Sequence, residues 1–187
     1  MNFMDVPSRP KKAWVRRQLV FLLGQQFPRG LRMVTLPGGR WDFEKELAKS
    51  LKGKLRFHSY ERDKQVFQEC VKNKPRGLPA TLKNQDVFED LEDLWYQLPD
   101  GYEAAWVDLN GPPQRLWHLE KLQDLRKEVP LIALTFMNSR FLGEVREDRL
   151  RFNGDSREWI SSYLGEPDHW VSYYDTVGMV HGVWINK

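Results

Sequence analysis

The sequence predicts a doubly wound α/β fold: a mostly parallel sheet of about seven strands, a leading N-terminal helix and an antiparallel C-terminal hairpin. Three observations carry that prediction. Short apolar runs alternate with amphipathic helical segments, which demands right-handed crossovers and a sheet covered on both faces. Between Leu31 and Glu61 the chain reads as strand, glycine turn, helix, strand and terminal carboxylate, the order of a nucleotide-binding βαβ half. The last thirty residues are rich in β-branched and aromatic side chains and read as two strands joined by a turn.

Taken in order, residues 1–10 are polar, contain Pro7 and Pro10, and read as a flexible basic arm. Residues 11–187 read as one domain. Lys11 to Gln26 is a helix on Trp14, Leu19, Phe21, Leu22 and Leu23, closed by Gly24 and Pro28. The run Leu31–Leu36 is the first strand, Pro37-Gly38-Gly39-Arg40 a tight turn, and Trp41-Asp42 opens a helix carrying Phe43, Leu47 and Leu51. Leu55–Tyr60 is the second strand and ends on Glu61. Asp63 is a cap candidate for a helix to Lys72, with Val66, Phe67, Cys70 and Val71 inward.

A short strand, Ala80–Asn84, leads to Asp86. The segment Asp86–Glu103 holds seven acids and no base, with Val87, Phe88, Leu91, Leu94 and Trp95 at helical spacing. Ala104–Val107 is the fourth strand, ending at Asp108 and the turn Leu109-Asn110-Gly111-Pro112-Pro113. A helix on Leu116, Leu119, Leu122 and Leu125 precedes the most apolar strand, Leu131–Phe136. Residues 139–158 alternate charges with Phe141, Leu142, Val145, Leu150 and Phe152, which predicts a surface loop and helix. Trp170–Tyr174 and Met179–Ile185 form the terminal hairpin.

Composition narrows the function classes. Of 187 residues, 41% are hydrophobic and 29% charged, as in soluble globular proteins. No apolar run approaches the ~18 residues needed to span a bilayer, so no membrane partner is expected. The N-terminus lacks the basic-then-apolar order of a secretory signal. The single cysteine, Cys70, excludes an intramolecular disulfide and a multi-thiolate zinc cluster. These features predict a reducing, cytoplasmic setting. The four histidines show no metal-ligand spacing, and no metal is expected. Net charge is +3, but residues 1–40 carry eight Lys/Arg against one acid, leaving −4 for the remainder. A basic N-terminal region beside a mildly acidic body predicts a polyanion partner, DNA or RNA, with Lys11, Lys12, Arg16 and Arg17 as phosphate contacts. A solvated helix face explains the same charges equally well.

The strand-end positions carry the chemistry. Glycines let backbone approach a ligand, a helix N-terminus presents free N–H groups, and a carboxylate about 20 residues on accepts ribose hydroxyls. Glu61 lies 22 residues after Gly39. Acids at strand ends also cap the following helix, and Glu61, Asp86 and Asp108 each admit that plainer role. Trp41 reads as core, with stacking on a ligand as the alternative.

With its closing hairpin, this order resembles the class I S-adenosylmethionine-dependent methyltransferase fold, Rossmann-like, over about residues 11–187. The resemblance implies S-adenosylmethionine as cofactor. It assigns Pro37, Gly38 and Gly39 to the methionine moiety, Glu61 to the ribose and Asp86 to the adenine amino group. The loop after the fourth strand, where the chemistry occurs in the family, matches Asp108, Asn110, Pro112 and Pro113. In the amino-methylating branch that loop reads Asp or Asn, Pro, Pro, then an aromatic. Here a glycine is inserted, and Arg115 or Leu116 falls where the aromatic would stand. The family's acid at the end of the first strand and its third glycine are absent.

Methyl transfer from a sulfonium is an in-line displacement, so the protein mainly positions donor and acceptor. Carbonyl oxygens of Asp108 or Asn110 would accept an amine's hydrogens. Cys70, mid-helix after the second strand, is remote in sequence from that loop, which disfavours cysteine-dependent cytosine methylation. The expected function is N-methylation of an exocyclic amine in nucleic acid. The alternative is a catalytically inactive fold of this kind serving as a nucleic-acid-binding or regulatory module. The chain is short of a separate target-recognition domain, so a protein partner is a further expectation.

Overall fold

The computed structural model describes residues 11–51, 53–90, 101–109, 111, 113, 115–139, 141–174 and 177–186. The basic arm over residues 1–10, Asn110, Pro112 and residues 91–100 of the acidic segment lie outside these. In chain order the elements are α1 (Lys12–Gln26), β1 (Gly30–Thr35), α2 (Asp42–Ser50), β2 (Lys54–Tyr60), α3 (Lys64–Asn73) and β3 (Ala80–Lys83). A helical turn over residues 87–90 is α4. There follow β4 (Ala104–Asp108), α5 (Leu116–Glu128), β5 (Leu131–Met137), α6 (Gly143–Leu150), α7 (Ser156–Leu164), β6 (His169–Tyr174) and β7 (Gly178–Ile185). The strands form one mixed sheet in the order β3-β2-β1-β4-β5-β7-β6, with the expected parallel core and antiparallel terminal hairpin.

The chain divides into two compact units, Ala13–Trp106 and Val107–Lys187 together with Met1–Lys12. In the first, β1 pairs in parallel with β2 from Gly30↔Lys54 to Thr35↔Ser59 and with β4 from Met33↔Ala104 to Thr35↔Trp106. β3 extends the parallel set on β2. α1 buries Val15, Leu19, Leu22 and Leu23, a spacing of three and four residues that makes one helix face. α2 buries Phe43 and Leu47, and the Phe43 ring meets Trp106 edge-on at 4.3 Å between centroids.

One expectation fails in α3. The helix forms where Asp63 caps it, its Oδ1 accepting from the Gln65 and Val66 amides at 2.8 and 3.0 Å. Of the four residues expected inward, however, only Cys70 is buried, and Val71 is 53% exposed. Successive helical residues point about 100° apart, so the face that buries Cys70 turns Val71 to solvent.

In the second unit β5 is buried from Leu131 to Phe136. It pairs antiparallel with β7 from Leu131↔Ile185 to Met137↔Met179. α5 buries Leu119, Leu122 and Leu125. Residues 139–158 are not a mere surface loop and helix. They contain α6 and the start of α7, and within them Phe141 and Val145 are buried. Trp159 packs edge-on against Phe136 and Phe141, which anchors α7, and Asp155 Oδ1 caps it from the Arg157 and Glu158 amides. Within α6, Asp148 Oδ2 accepts from Trp159 Nε1 and Tyr163 Oη at 3.0 and 2.7 Å. Leu142 and Leu150 alone of that set face solvent, at 76% and 60% exposure.

Candidate functional site

The glycine turn after β1 is built by its backbone. Gly38 has φ +56°, a region that an L side chain enters only with strain, and open space lies where its Cβ would stand. Trp41 closes the turn at φ 56°, fully buried, its Nε1 donating to the Cys70 carbonyl at 2.8 Å. Trp41 is thus a core residue, and stacking on a ligand is ruled out for it. The turn is also held from α3: Cys70 Sγ donates to the Gly38 carbonyl at 3.2 Å and Asn73 Nδ2 to the Gly39 carbonyl at 2.9 Å. Burial, reinforced by the negative charges of Glu61, Glu44 and Glu69, pushes the Cys70 thiol up to about 11. It therefore stays protonated at neutral pH, and a protonated thiol is the donor this contact needs.

At the end of β1 stands Thr35. It is buried, and its hydroxyl lies 2.9 Å from that of Ser59 on β2. Glu61 follows β2, and Asp86 immediately precedes α4. Both carboxylates are oriented by the same local device. Glu61 Oε1 accepts from the Asp63 amide at 2.8 Å, and Asp86 Oδ1 accepts from the Phe88 amide at 3.0 Å. Asp86 also meets Arg62 at 3.4 Å. Glu61 is half-buried, and burial raises its pKa above the usual range despite the Asp63 amide. The two strand ends are tied further, since the Glu61 amide donates to the Lys83 carbonyl and Asn84 Nδ2 to the Glu61 carbonyl.

Behind them lies a network that sequence reasoning missed. Asp90 is 5% exposed, and its Oδ2 accepts from Tyr60 Oη at 2.7 Å and Lys83 Nζ at 2.6 Å. Burial works against the Asp90 charge, but the Lys83 and Tyr60 hydrogen bonds outweigh it and hold the carboxyl below its usual range. The ends of β2 and β3 are thereby fastened to one buried carboxylate on α4. Tyr60 and Lys83 each stand one residue beyond the inward alternation, so no sequence periodicity points to their meeting.

In the other unit, Asp108 ends β4. Its side chain is 10% exposed and Oδ2 lies 2.8 Å from Lys12 Nζ. Leu109 donates its amide to the Thr135 carbonyl of β5, which fixes the start of the loop. Gly111 and Pro113 belong to the same loop, and Pro113 is buried. Of the remaining basic candidates, Arg16 pairs with Asp42 at 3.1 Å, while Lys11 and Arg17 are exposed. His181 is fully buried in β7, opposite Thr135 of β5, whose Oγ1 lies 2.7 Å from its Nδ1. Burial pushes its pKa down to about 3, so it is a neutral histidine packed in the sheet. Among the described residues no group of three or more His, Cys, Asp or Glu is arranged to hold a metal ion. No described helix is long and apolar enough to cross a membrane.

No protein-family model matches the chain, and no curated protein matches it. Solved structures do. The chain is similar to the N-methyltransferase NodS of Bradyrhizobium japonicum, solved with S-adenosyl-L-homocysteine, at 11% identity and a TM-score of 0.63, covering 96% of this chain and 89% of that one. It is similar to the O-methyltransferase TomG of Streptomyces achromogenes, solved with S-adenosylmethionine, at 13% identity and a TM-score of 0.63, covering 98% and 84%. A Clostridium thermocellum protein assigned to rRNA methylation matches at 11% identity and a TM-score of 0.59, covering 91% and 96%. Sheet order, parallel core, terminal hairpin and these likenesses agree: the chain has the class I S-adenosylmethionine-dependent methyltransferase fold.

Proposed function

We propose that the chain is an S-adenosylmethionine-dependent methyltransferase that N-methylates an exocyclic amine in DNA or RNA. The observation that carries the cofactor assignment is the matched orientation of Glu61 and Asp86 by the amides two residues on. A carboxylate held in this way is an acceptor of fixed direction, which suits a ribose diol at Glu61 and an adenine amino group at Asp86. The Gly38 turn, with open space at its missing Cβ, lets backbone approach the methionine end. The donor set therefore fits the cofactor, with Pro37, Gly38, Gly39, Glu61 and Asp86 as its holders.

When bound, S-adenosylmethionine supplies a methyl group on a sulfonium, an electrophile needing no further activation. The chain's own task is positioning. Asp108 is the acceptor for a proton of the incoming amine, with Asn110 beside it in sequence and Pro112 and Pro113 restricting the turn. Lys11 and Arg17, with Lys12 and Arg16 once released from their carboxylates, are the phosphate contacts. The likeness to a protein assigned to rRNA methylation supports a nucleic-acid substrate, while the N- and O-methyltransferase likenesses leave the acceptor atom to the loop chemistry.

The test is calorimetric titration with S-adenosylmethionine, followed by methyl transfer to RNA and DNA pools. Binding in the micromolar range with label transfer is the expected result. Absence of heat and of a thermal shift at millimolar cofactor would remove both cofactor and activity. A second reading, an inactive module for a nucleic-acid or protein partner, is favoured by the pairing of Asp108 with Lys12, which already occupies the candidate catalytic carboxylate. Cofactor binding without transfer to any nucleic acid selects it.

A further inference from the structure

The glycine turn of this chain has two glycines and no acid before it, yet it is heavily braced from one side. Three side chains of α3 meet it. Cys70 Sγ and Asn73 Nδ2 donate to the carbonyls of Gly38 and Gly39. Glu69 lies so close that a Cβ on Gly39 would stand 2.7 Å from Glu69 Oε2 and 3.3 Å from Glu69 Cβ. Trp41 Nε1 returns a bond to the Cys70 carbonyl, so residues 38–41 and 69–73 are laced together in both directions.

A trans peptide points its C=O and the following N–H in opposite directions. Carbonyls of Gly38 and Gly39 drawn toward α3 therefore turn the amides of Gly39 and Arg40 away from it. Two neighbouring N–H groups facing one way make an anion-binding concavity.

We propose that Asn73 and Cys70 are positioning residues which, by drawing those two carbonyls onto α3, aim the Gly39 and Arg40 amides at the α-carboxylate of the cofactor's methionine end. This deepens the methyltransferase reading and rests on it for the ligand. The bracing itself rests only on the geometry. It restrains a turn whose two glycines leave the backbone otherwise free to vary.

The test compares two ligands on the full chain: S-adenosylhomocysteine, which has the amino-acid carboxylate, and methylthioadenosine, which lacks it. Asn73 is exposed, so Asn73→Ala and Asn73→Asp are expected to fold. Asn73→Ala should raise the Kd for S-adenosylhomocysteine about tenfold, the scale of one lost hydrogen bond to a charged group. It should leave methylthioadenosine binding unchanged, whereas Glu61→Ala weakens both. Amide hydrogen exchange at residues 38–41, read in the ligand-free protein, should accelerate in Asn73→Ala and more in Asn73→Asp. Equal loss of both ligands, or exchange at the wild-type rate, overturns the proposal. A wild-type protein that binds neither ligand defeats the methyltransferase reading and overturns the aim of the amides, while the exchange rates still judge the bracing.

Discussion

Lys12 Nζ stands 2.8 Å from Asp108 Oδ2, joining the first residue of α1 to the last residue of β4. Asp108 is 10% exposed and Lys12 32%, so the pair is neither a surface bridge nor a fully buried one. Removing the ammonium leaves a poorly solvated carboxylate behind. Lys12→Met should cost about 1–2 kcal/mol, below the 3–5 typical of a dry pair because solvent screens this one. Urea unfolding reads it. In the methyltransferase reading, Asp108→Ala cuts turnover while the Kd for S-adenosylmethionine stays near wild type. Parallel loss of both would mean the pair serves the fold instead.

Glu61 titrates above the usual glutamate range because it is half-buried. In the methyltransferase reading the charged form would accept from both ribose hydroxyls, and protonation turns one acceptor into a donor. Cofactor affinity should therefore fall as pH drops from neutral through the mildly acidic range. Glu61→Gln should bind more weakly at neutral pH and show a flat profile. Glu61→Ala should weaken binding by about 1–3 kcal/mol. Calorimetry across pH checks all three.

The Asp90 hub makes a stability prediction with a defined sign. Its folded pKa lies below the unfolded value, so its contribution is present above the unfolded pKa and disappears as pH falls through the folded one. Tyr60→Phe, which deletes one buried hydrogen bond and leaves the ring, should cost about 1–2 kcal/mol. Loss of cofactor affinity in the same variant would show that the hub also sets the strand ends that carry Glu61 and Asp86.

His181 acts over a higher range. Its pKa falls from 6.5 to about 3 on burial, so between those values the unfolded chain binds a proton that the folded chain refuses. Stability is full above the unfolded pKa and declines as pH falls, by about 1.4 kcal/mol per pH unit. His181→Gln keeps a partner for Thr135 and should reduce that slope by one proton, even if it is less stable at neutral pH. An unchanged slope would assign the acid sensitivity elsewhere.

The basic start of α1 divides into two kinds of residue. Lys12 and Arg16 already have carboxylate partners, whereas Lys11 and Arg17 are exposed. If the chain holds nucleic acid here, log affinity should fall with log salt by about 0.7–0.9 per phosphate contact. Reversing Lys11 and Arg17 to glutamate should shallow the slope by about two contacts. Filter binding at several salt concentrations reads it, and indifference of the wild type to nucleic acid would leave these charges a solvated face.

The seven strands, their parallel or antiparallel sense and helices α2, α3 and α5 were legible in the chain, because each rests on local periodicity, turn chemistry and the alternation of elements. The placement of Glu61 directly after β2 and of Asp86 shortly after β3 was legible too, since strand boundaries are local. The misses share a cause. Phe141 and Val145 lie in a charged stretch whose apolar spacing is too sparse to stand out, and for α7 the Asp155 cap with Glu158 three residues later was the available sign. Which polar groups meet depends on the folded chain: Lys12 with Asp108, Tyr60 and Lys83 on Asp90, Cys70 and Asn73 on the glycine turn. Partners up to 96 residues apart leave no periodic trace in the chain. A hydrogen bond needs its atoms within about 3 Å, and only the folded backbone sets that distance.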